Sequence, residues 1–355
     1  MRVLFLYSEV AGYFLACAET LHRQYGVEVH VVRWPVNPEA PFRFRDYEGV
    51  VLHERRDYDD AGLLRLAAAL QPALVFSAGW LDAGYQRILP RIKAQGIPVL
   101  CGLDNHWRGD LRQRIAVLLS PWMLHRRFTH IWAPGLYQYE YARRLGFARE
   151  RILRGYYSAD LAPFNEAYRV SEAEKAAAWP RKLLFVGRFV EVKGILELCR
   201  AFLAARGESG WTLLLTGAGP LRGQIPAHPA IEVQDFVQPE RLPALAGGAG
   251  AFVLPSRFEP WGVALHEFAG AGLPLVASGA CGAATAFLRE GYNGYSFRTG
   301  DEASLTAALR RLMALPDAEL RRMGARSYEL SRQITPETWA AALMSVIADV
   351  SPSHR

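Results

Sequence analysis

Short apolar runs alternate with segments of helical period along the first 150 residues. The runs at 3–7, 28–33, 73–77 and 98–101 predict strands, and the segments at 14–24 and 86–94 predict helices. Strands that alternate with helices are typical of a parallel sheet covered on both faces. The first part of the chain is therefore expected to be a doubly wound α/β domain.

The same alternation begins again after a polar segment at 159–180, which contains two prolines and is interpreted as an interdomain linker. Strands are predicted at 182–186, 212–216, 231–233 and 251–254, a helix at 196–205, and a turn followed by a buried strand at 272–277. A last amphipathic helix is predicted at 338–350. The expected organisation is a first domain at 1–165, a second domain at 166–335 and a C-terminal helical segment at 336–355.

Length and composition agree with two globular domains, and the net charge favours acidic partners. The chain has 355 residues, of which 51% are hydrophobic and 21% charged. The first apolar run is too short for a signal peptide and no apolar stretch is long enough to span a membrane, so a cytoplasmic location is expected. The four scattered cysteines fit a reducing compartment. A formal net charge of +6 favours acidic partners such as nucleotide phosphates, anionic lipid or polyanions.

The most informative motif places two carboxylates eight residues apart. Glu259 precedes a predicted helix start and Glu267 lies about five residues inside the helix, about 7 Å along its axis. The free N–H groups at a helix start suit an anion such as a diphosphate. Carboxylates on either side of that anion could hold hydroxyl groups, which is the layout of a nucleotide-sugar.

The residues around this pair carry a family resemblance. Glu259, Pro260, Trp261 and Gly262, followed by Glu267 and a Gly-Leu-Pro turn, resemble the donor-site motif of retaining glycosyltransferases of family 4, also called glycosyl transferases group 1. The resemblance implies the GT-B fold, in which two doubly wound Rossmann-like domains face a central cleft and the last helix crosses back to the first domain. It makes the domain at 1–165 the acceptor-binding domain and the domain at 166–335 the nucleotide-sugar-binding domain. It further implies that Glu259 meets the transferred sugar, that Glu267 binds the ribose, and that the turn between them lines the donor site.

A second strand-to-helix loop carries two cations. Gly187 permits close backbone approach, and Arg188 and Lys193 could reach the same point from the loop, where they would neutralise a departing diphosphate. The resemblance assigns both to the donor phosphates; the alternative is an exposed loop with two solvated cations. The loop lacks the Gly-Lys-Ser/Thr ending of a phosphate-binding ATPase loop. Further along, Gly217, Gly219 and Val237 are predicted to border the nucleotide.

The first domain offers fewer specific signals. Asp104, Asn105 and His106 follow a predicted strand, and the resemblance makes His106 a candidate for contact with the transferred sugar, with Asp104 and Asn105 orienting it or binding acceptor hydroxyls. Gly12 matches one of two adjacent glycines that the family has near the sugar phosphate. Residue 11 is alanine here, which departs from the family pattern.

Arginines are interleaved with aromatic residues between positions 108 and 154. Three interpretations stay open: an anionic membrane surface, a basic rim for a polyanionic acceptor, or a solvated helix face over an aromatic core. No nucleic-acid recognition motif is present, so nucleic acid is not expected as a partner.

Taken together, these features predict a retaining glycosyltransferase that acts without metal or other cofactor. Its donor would be a UDP- or GDP-sugar, and its acceptor a growing polysaccharide, an oligosaccharide or a lipid-linked sugar. The predicted catalytic residues are Arg188, Lys193, Glu259 and His106. The competing hypotheses are a nucleotide-sugar epimerase of the same fold and a non-catalytic nucleotide-sugar-binding protein.

Overall fold

A parallel sheet forms the centre of each of two structural units. The structure is a computed structural model that describes residues 1–36 and 44–350. The first unit comprises Met1–Ser158 together with the segment that begins at Ile334, and the second comprises Ala159–Gln333.

The first unit contains, among its described residues, a seven-stranded parallel sheet in the order β3-β2-β1-β4-β5-β6-β7. Its strands are β1 Arg2–Leu6, β2 Glu28–Arg33, β3 Val50–Glu54, β4 Leu74–Ser77, β5 Val99–Gly102, β6 His130–Ala133 and β7 Ile152–Arg154. The helices between them are α1 Gly12–Tyr25, α2 Asp60–Leu70, α3 Ala83–Ala94, α4 Leu111–Met123 and α5 Leu136–Arg144. Alternate residues of β1 enter two separate hydrophobic clusters, one on each face of the sheet.

The second unit repeats this design with a six-stranded parallel sheet among its described residues, in the order β10-β9-β8-β11-β12-β13. Its strands are β8 Lys182–Val186, β9 Thr212–Thr216, β10 Ile231–Gln234, β11 Ala251–Leu254, β12 Leu275–Ser278 and β13 Gly294–Phe297. Its helices are α6 Leu161–Ala177, α7 Ile195–Arg206, α8 Leu242–Gly247, α9 Val263–Gly270, α10 Ala284–Phe287, α11 Glu302–Met313 and α12 Asp317–Ser331.

The last helix, α13 (Pro336–Val350), packs onto the first unit. Its Trp339 is buried, stacks on Phe5 at 5.9 Å between ring centroids, and donates its indole N–H to the carbonyl of Tyr156 at 2.9 Å. One aromatic side chain thus fixes the helix to the sheet of that unit. The last five residues of the predicted C-terminal segment lie outside the described residues.

The expected linker at 159–180 is wrong, because most of it forms helix α6. Leu161 and Phe164 are buried, and Phe164 packs edge-on against Phe268 of α9 at 5.7 Å. Pro163 does not prevent the helix, since the N–H groups of the first turn have no partner within a helix. The segment is therefore a structural element of the second unit.

Each sheet has one point at which the strand order reverses direction. In the second unit this point lies between β8 and β11, and in the first between β1 and β4. Ligands of open parallel sheets bind beyond the carboxyl ends of the strands at this position. In the second unit, the two loops that leave the sheet there are those to which the sequence assigned the donor site.

Candidate functional site

The loops after β8 and β11 are held against each other by their backbones. The N–H of Arg257 donates to the carbonyl of Val192 at 2.8 Å. Gly194 has a positive φ of 66°, and a Cβ there would lie 2.4 Å from the carbonyl oxygen of Pro255. The close approach therefore requires glycine at this position, and it fixes where Lys193 lies relative to the second loop.

Lys193 and Glu259 form an ion pair across these two loops. The ammonium group of Lys193 contacts Oε2 of Glu259, and the side chains are only 18% and 12% exposed. The hydroxyl of Ser256 donates to the same carboxylate oxygen at 2.9 Å. A charged pair that is largely removed from water is held in one geometry by its partners. The family motif assigns these two side chains to different parts of the donor, whereas the structure places them in contact. Ser256 was not among the predicted site residues.

The loop after β12 packs against the turn at 259–262 and holds it in place. The N–H of Gly282 donates to the carbonyl of Glu259 at 3.0 Å, and the thiol of Cys281 lies 3.2 Å from the carbonyl of Trp261. Gly262 has a φ of 97°, and a Cβ there would be 2.9 Å from the Leu254 side chain. The Gly279–Ala284 region, to which no catalytic role was assigned, thus positions the carboxylate-bearing turn.

Trp261 was predicted to line the donor site, but its side chain lies in the core of the second unit. It is 2% exposed and packs edge-on against Phe287 at 5.9 Å. Its backbone carbonyl accepts the N–H of Ala283 at 2.8 Å. The indole therefore anchors the turn from inside, and Pro260 and Gly262 form the half-exposed part of that turn.

Helix α9 begins directly after this turn with an uncapped N-terminus. Gly262 is the N-cap residue, no side chain caps the helix, and its first turn contains no acidic residue. The N–H groups of the first turn and the positive end of the helix dipole suit an anionic ligand. The start of α9, which follows the turn that carries Glu259, thus has the features of a helix end that can bind an anion.

Glu267 lies one turn further along α9 and has unusual acid–base behaviour. Burial and, to a smaller extent, the nearby carboxylate of Asp160 together raise its pKa to about 7. Near neutral pH this carboxyl group is therefore poised between its two protonation states. Asp160 begins the second unit, and its effect on Glu267 could not be inferred from the motif.

Replacement of Glu267 by glutamine is expected to stabilise the protein at alkaline pH. In the folded protein this carboxyl holds its proton up to about pH 7, whereas its ordinary pKa is 4.5. Its contribution to stability is therefore present at low pH and lost as the pH rises from 4.5 through about 7. Glu267→Gln should match wild type within about 1 kcal/mol at pH 5 and exceed it by up to about 3 kcal/mol at pH 8.

Urea unfolding of both proteins at the two pH values measures this difference. Glu172→Gln, which changes an exposed carboxylate of α6, is the control and should show no pH-dependent gain. Equal unfolding free energies of wild type and Glu267→Gln at pH 8 would contradict the raised pKa.

The glycines after β8 and β9 serve to bring two loops together. A Cβ on Gly217 would lie 1.9 Å from the carbonyl oxygen of Gly187, and one on Gly219 would lie 2.5 Å from that of Phe189. The N–H of Phe189 also donates to the carbonyl of Ala218 at 2.7 Å. The contact that requires these glycines is thus one between protein backbones, which shapes the loop that carries Arg188.

The two remaining donor-site candidates of this unit lie at its surface. Arg188 is exposed on the loop that follows β8, and Val237 is half-buried in the loop that follows β10. Both loops leave the carboxyl edge of the same parallel sheet.

His266 was not singled out from the sequence, although it fixes α9 in the unit. It is fully buried and stacks on Phe287 at 4.0 Å. Its Nδ1 accepts the N–H of Ala159 at 3.1 Å, and its Nε2 lies 2.8 Å from the carbonyl of Ser331. These partners require the neutral tautomer with its proton on Nε2. A lone histidine between two glutamates offered no signal for this role.

The candidates in the first unit follow strands β1 and β5. Asp104, Asn105 and His106 lie in the loop between β5 and α4, and Gly12 is the first residue of α1. Burial raises the pKa of Asp104. Burial, followed by the charge of Arg108, lowers the pKa of His106, which favours the neutral ring at pH 7.

A tyrosine cluster near these residues was missed by the sequence analysis. The hydroxyl of Tyr156 donates to that of Tyr7 at 2.9 Å, and Tyr156 packs on Tyr157 at 4.1 Å. Burial raises the pKa of all three phenols, and the carboxylate of Asp104 adds to this effect. The three remain neutral hydroxyl groups at physiological pH.

No group of three or more histidine, cysteine, aspartate or glutamate side chains could hold a metal ion in residues 1–36 and 44–350. Over the same part of the chain, no helix is both long and apolar enough to cross a membrane.

Known proteins share sequence and fold with this chain. Residues 180–314 match the family model described as glycosyl transferases group 1. The chain is 32% identical over 244 residues to glycogen synthase of Mycobacterium tuberculosis, a match that covers 66% of this chain and 54% of that protein. The chain thus spans about half the length of this curated relative.

Two solved structures share the fold over nearly the whole chain. Anabaena HepE in complex with UDP-glucose superposes with a TM-score of 0.71 at 15% identity, covering 98% of this chain and 100% of that one. Sucrose-phosphate synthase from Thermosynechococcus elongatus gives a TM-score of 0.73 at 18% identity, covering 99% of each chain. The predicted α/β class with two Rossmann-like domains is confirmed, as is the resemblance to glycosyl transferases group 1.

Proposed function

We propose that this chain, whose second unit carries a glycosyl transferases group 1 domain, transfers a hexose or N-acetylhexosamine from a nucleoside-diphosphate sugar. The acceptor would be a polysaccharide, an oligosaccharide or a lipid-linked sugar. The observation that carries the proposal is the Lys193–Glu259 pair, fixed at the strand-order reversal beside the uncapped start of α9. Cation, carboxylate and helix dipole together suit a sugar attached to a diphosphate.

The donor would extend along α9 from its start. Its diphosphate would take the N–H groups at the helix start and the charges of Arg188 and Lys193, while Glu259 would hold sugar hydroxyls and Glu267 the ribose. A carboxyl with a pKa of about 7 is readily ionised when two ribose hydroxyls donate to it. HepE, which shares the fold, has been solved with UDP-glucose, which favours UDP as the first nucleotide to test.

The proposed reaction retains the configuration of the sugar and involves no side-chain nucleophile. The acceptor oxygen would form a bond to the anomeric carbon on the face from which the diphosphate departs, and a phosphate oxygen would accept the acceptor's proton. Arg188, Lys193 and the dipole of α9 would stabilise the charge that develops on the leaving group. These fixed positive charges supply the neutralisation that a metal ion would otherwise provide, which is why we propose metal-independent transfer.

Nucleotide binding tests the donor site. Thermal unfolding with UDP, GDP, ADP and CDP should show stabilisation by one of them, by about 2.7 kcal/mol at 100 times the dissociation constant. Arg188→Ala should lose that stabilisation, because its guanidinium would contact the diphosphate. Arg169→Ala, which removes an exposed arginine from α6, is the matched control and should retain it. Absence of a shift with all four nucleotides would refute the site.

Turnover then separates transfer from the competing functions. The selected nucleotide-sugar should release its nucleoside diphosphate only when an acceptor is present. Conversion of the donor without acceptor would indicate an epimerase. Binding without turnover on glycan or lipid-linked acceptors would indicate a non-catalytic binding protein.

A further inference from the structure

Most of the large apolar side chains of helix α4 are exposed, whereas its two buried residues are polar. Gln113 and Ser120 are its buried residues. The amide of Gln113 donates to the carbonyl of His106 at 2.8 Å, and the hydroxyl of Ser120 donates to the carbonyl of Leu145 at 2.7 Å. The polar face is thus fixed to the protein by hydrogen bonds, which is the reverse of an ordinary surface helix.

The opposite face forms a continuous apolar stripe about 100° wide. We call it the α4 stripe; its exposed side chains are Leu111 (74%), Ile115 (48%), Leu118 (70%), Leu119 (39%) and Trp122 (65%). A contiguous apolar surface of this kind marks an interaction site, since water disfavours it. The polar face is already bonded, so rotation of the helix could not bury the stripe.

Positive charge borders the stripe on both sides. On a helix, Arg112 and Arg114 project just beyond its two edges, and both are exposed. Arg126, also exposed, follows the end of the helix. Between positions 108 and 127 the sequence has five arginines and one aspartate. The partner must therefore offer an apolar interior and negative charge at its border.

We propose that the α4 stripe docks this protein on a lipid bilayer that contains anionic headgroups. The leucines and isoleucine would enter the boundary of the acyl chains, Trp122 would lie at the headgroup level, and the arginines would contact lipid phosphates. A second copy of the chain fits poorly, because pairing two stripes would bring the arginine borders of both copies together.

Docking would bring the loop between β5 and α4, which carries Asp104, Asn105 and His106, to the membrane surface. That loop joins α4 directly, within the first unit. A lipid-linked sugar would then be the acceptor within its reach, an extension that rests on the proposed function. The docking surface itself does not depend on the chemistry of the donor site.

Vesicle sedimentation of the full chain tests the proposal. Binding is expected to vesicles of phosphatidylcholine mixed with phosphatidylglycerol, to weaken with added salt, and to be much lower on phosphatidylcholine alone. The double variant L118S/W122S should bind at least tenfold more weakly. V170S, which changes an apolar residue of α6 that is 69% exposed, is the matched control and should bind like wild type.

The arginines provide an independent measurement. R112Q/R114Q should lose about fivefold in affinity for each charge removed on anionic vesicles. All these side chains are exposed, so each variant should unfold at the wild-type temperature. The stabilisation of L118S/W122S by nucleotide in thermal unfolding should equal that of wild type. This result would show that the variant impairs docking without affecting the donor site.

Three results would overturn the docking surface. Wild type could fail to bind anionic vesicles, or L118S/W122S could bind them as wild type does. A concentration-dependent dimer that L118S/W122S abolishes, without vesicle binding by wild type, would assign the stripe to a second copy.

Discussion

Replacement of Lys193 by methionine is expected to lower the turnover of the proposed transfer by about 1,000-fold, because it removes a fixed positive charge from the leaving diphosphate. Lys193 and Ser256 both contact the carboxylate of Glu259, which is 12% exposed, and the substitution removes the first of these two contacts. Loss of one partner from a largely buried pair should destabilise the second unit by about 3 kcal/mol. Release of the nucleoside diphosphate in the presence of acceptor measures the first effect, and urea unfolding measures the second.

The double variant Lys193→Met/Glu259→Gln distinguishes catalysis from stability. It removes both charges, so most of the lost unfolding free energy should return, while turnover should stay at the level of the single variant or lower. Arg257→Met is the control for loss of a positive charge near the site. Arg257 lies in the loop that carries Glu259, and its guanidinium pairs with Glu197 instead. Turnover of Lys193→Met above a tenth of wild type would show that the pair is structural.

The strands could be predicted wherever a short apolar run lies in the middle of a sheet. The bounds of β9 and β11 coincide with the predicted segments, whereas β3, β6, β7 and β13 were not predicted. β3 has an apolar run of only three residues, and it is an edge strand in which Val51 and Leu52 are exposed, so it does not resemble a buried central strand. β6 is buried but begins at His130, whose ring is bonded to the hydroxyl of Thr129 at 2.8 Å. A buried polar residue of this kind interrupts the apolar run from which a strand is predicted, so the strand is missed.

The motifs located the loops of the candidate site, but they could not show which residues touch. Lys193 and Glu259 are 66 residues apart in the chain, and they meet because β8 and β11 are neighbours in the sheet. The raised pKa of Glu267 likewise depends on its burial and, to a smaller extent, on Asp160, which lies at the start of the second unit. Contacts of this kind follow from strand order, which a motif does not contain.

The segment at 108–154 shows a related limit. The sequence left a membrane surface, a polyanion rim and a solvated face open, because periodicity alone does not say which side of a helix faces the protein. The hydrogen bonds of Gln113 and Ser120 decide the orientation of α4, and their acceptors are carbonyls outside the helix, in the loop before α4 and at Leu145. Buried polar residues thus mark the inner face here, against the usual pattern.

Replacement of Gly217 by alanine is expected to destabilise the second unit by at least about 3 kcal/mol and to abolish nucleotide binding. The residue has a φ of 151°, and its new Cβ would lie 1.9 Å from the carbonyl oxygen of Gly187. Relief of this overlap must separate the loops after β8 and β9, which would displace Arg188 from the donor phosphates. For a unit of this size the loss corresponds to a fall in Tm of about 6–12 °C.

Gly223→Ala is the matched control for Gly217→Ala, because it lies in the same loop. Its φ is outside the left-handed region and its new Cβ would have no neighbour within 4 Å. It should unfold at or slightly above the wild-type temperature and keep the nucleotide-dependent shift. Gly219→Ala should resemble Gly217→Ala, since its Cβ would lie 2.5 Å from the carbonyl oxygen of Phe189. If Gly217→Ala unfolds and binds nucleotide as the control does, then close packing of the two loops does not shape the donor site, and Arg188 must be positioned by other contacts.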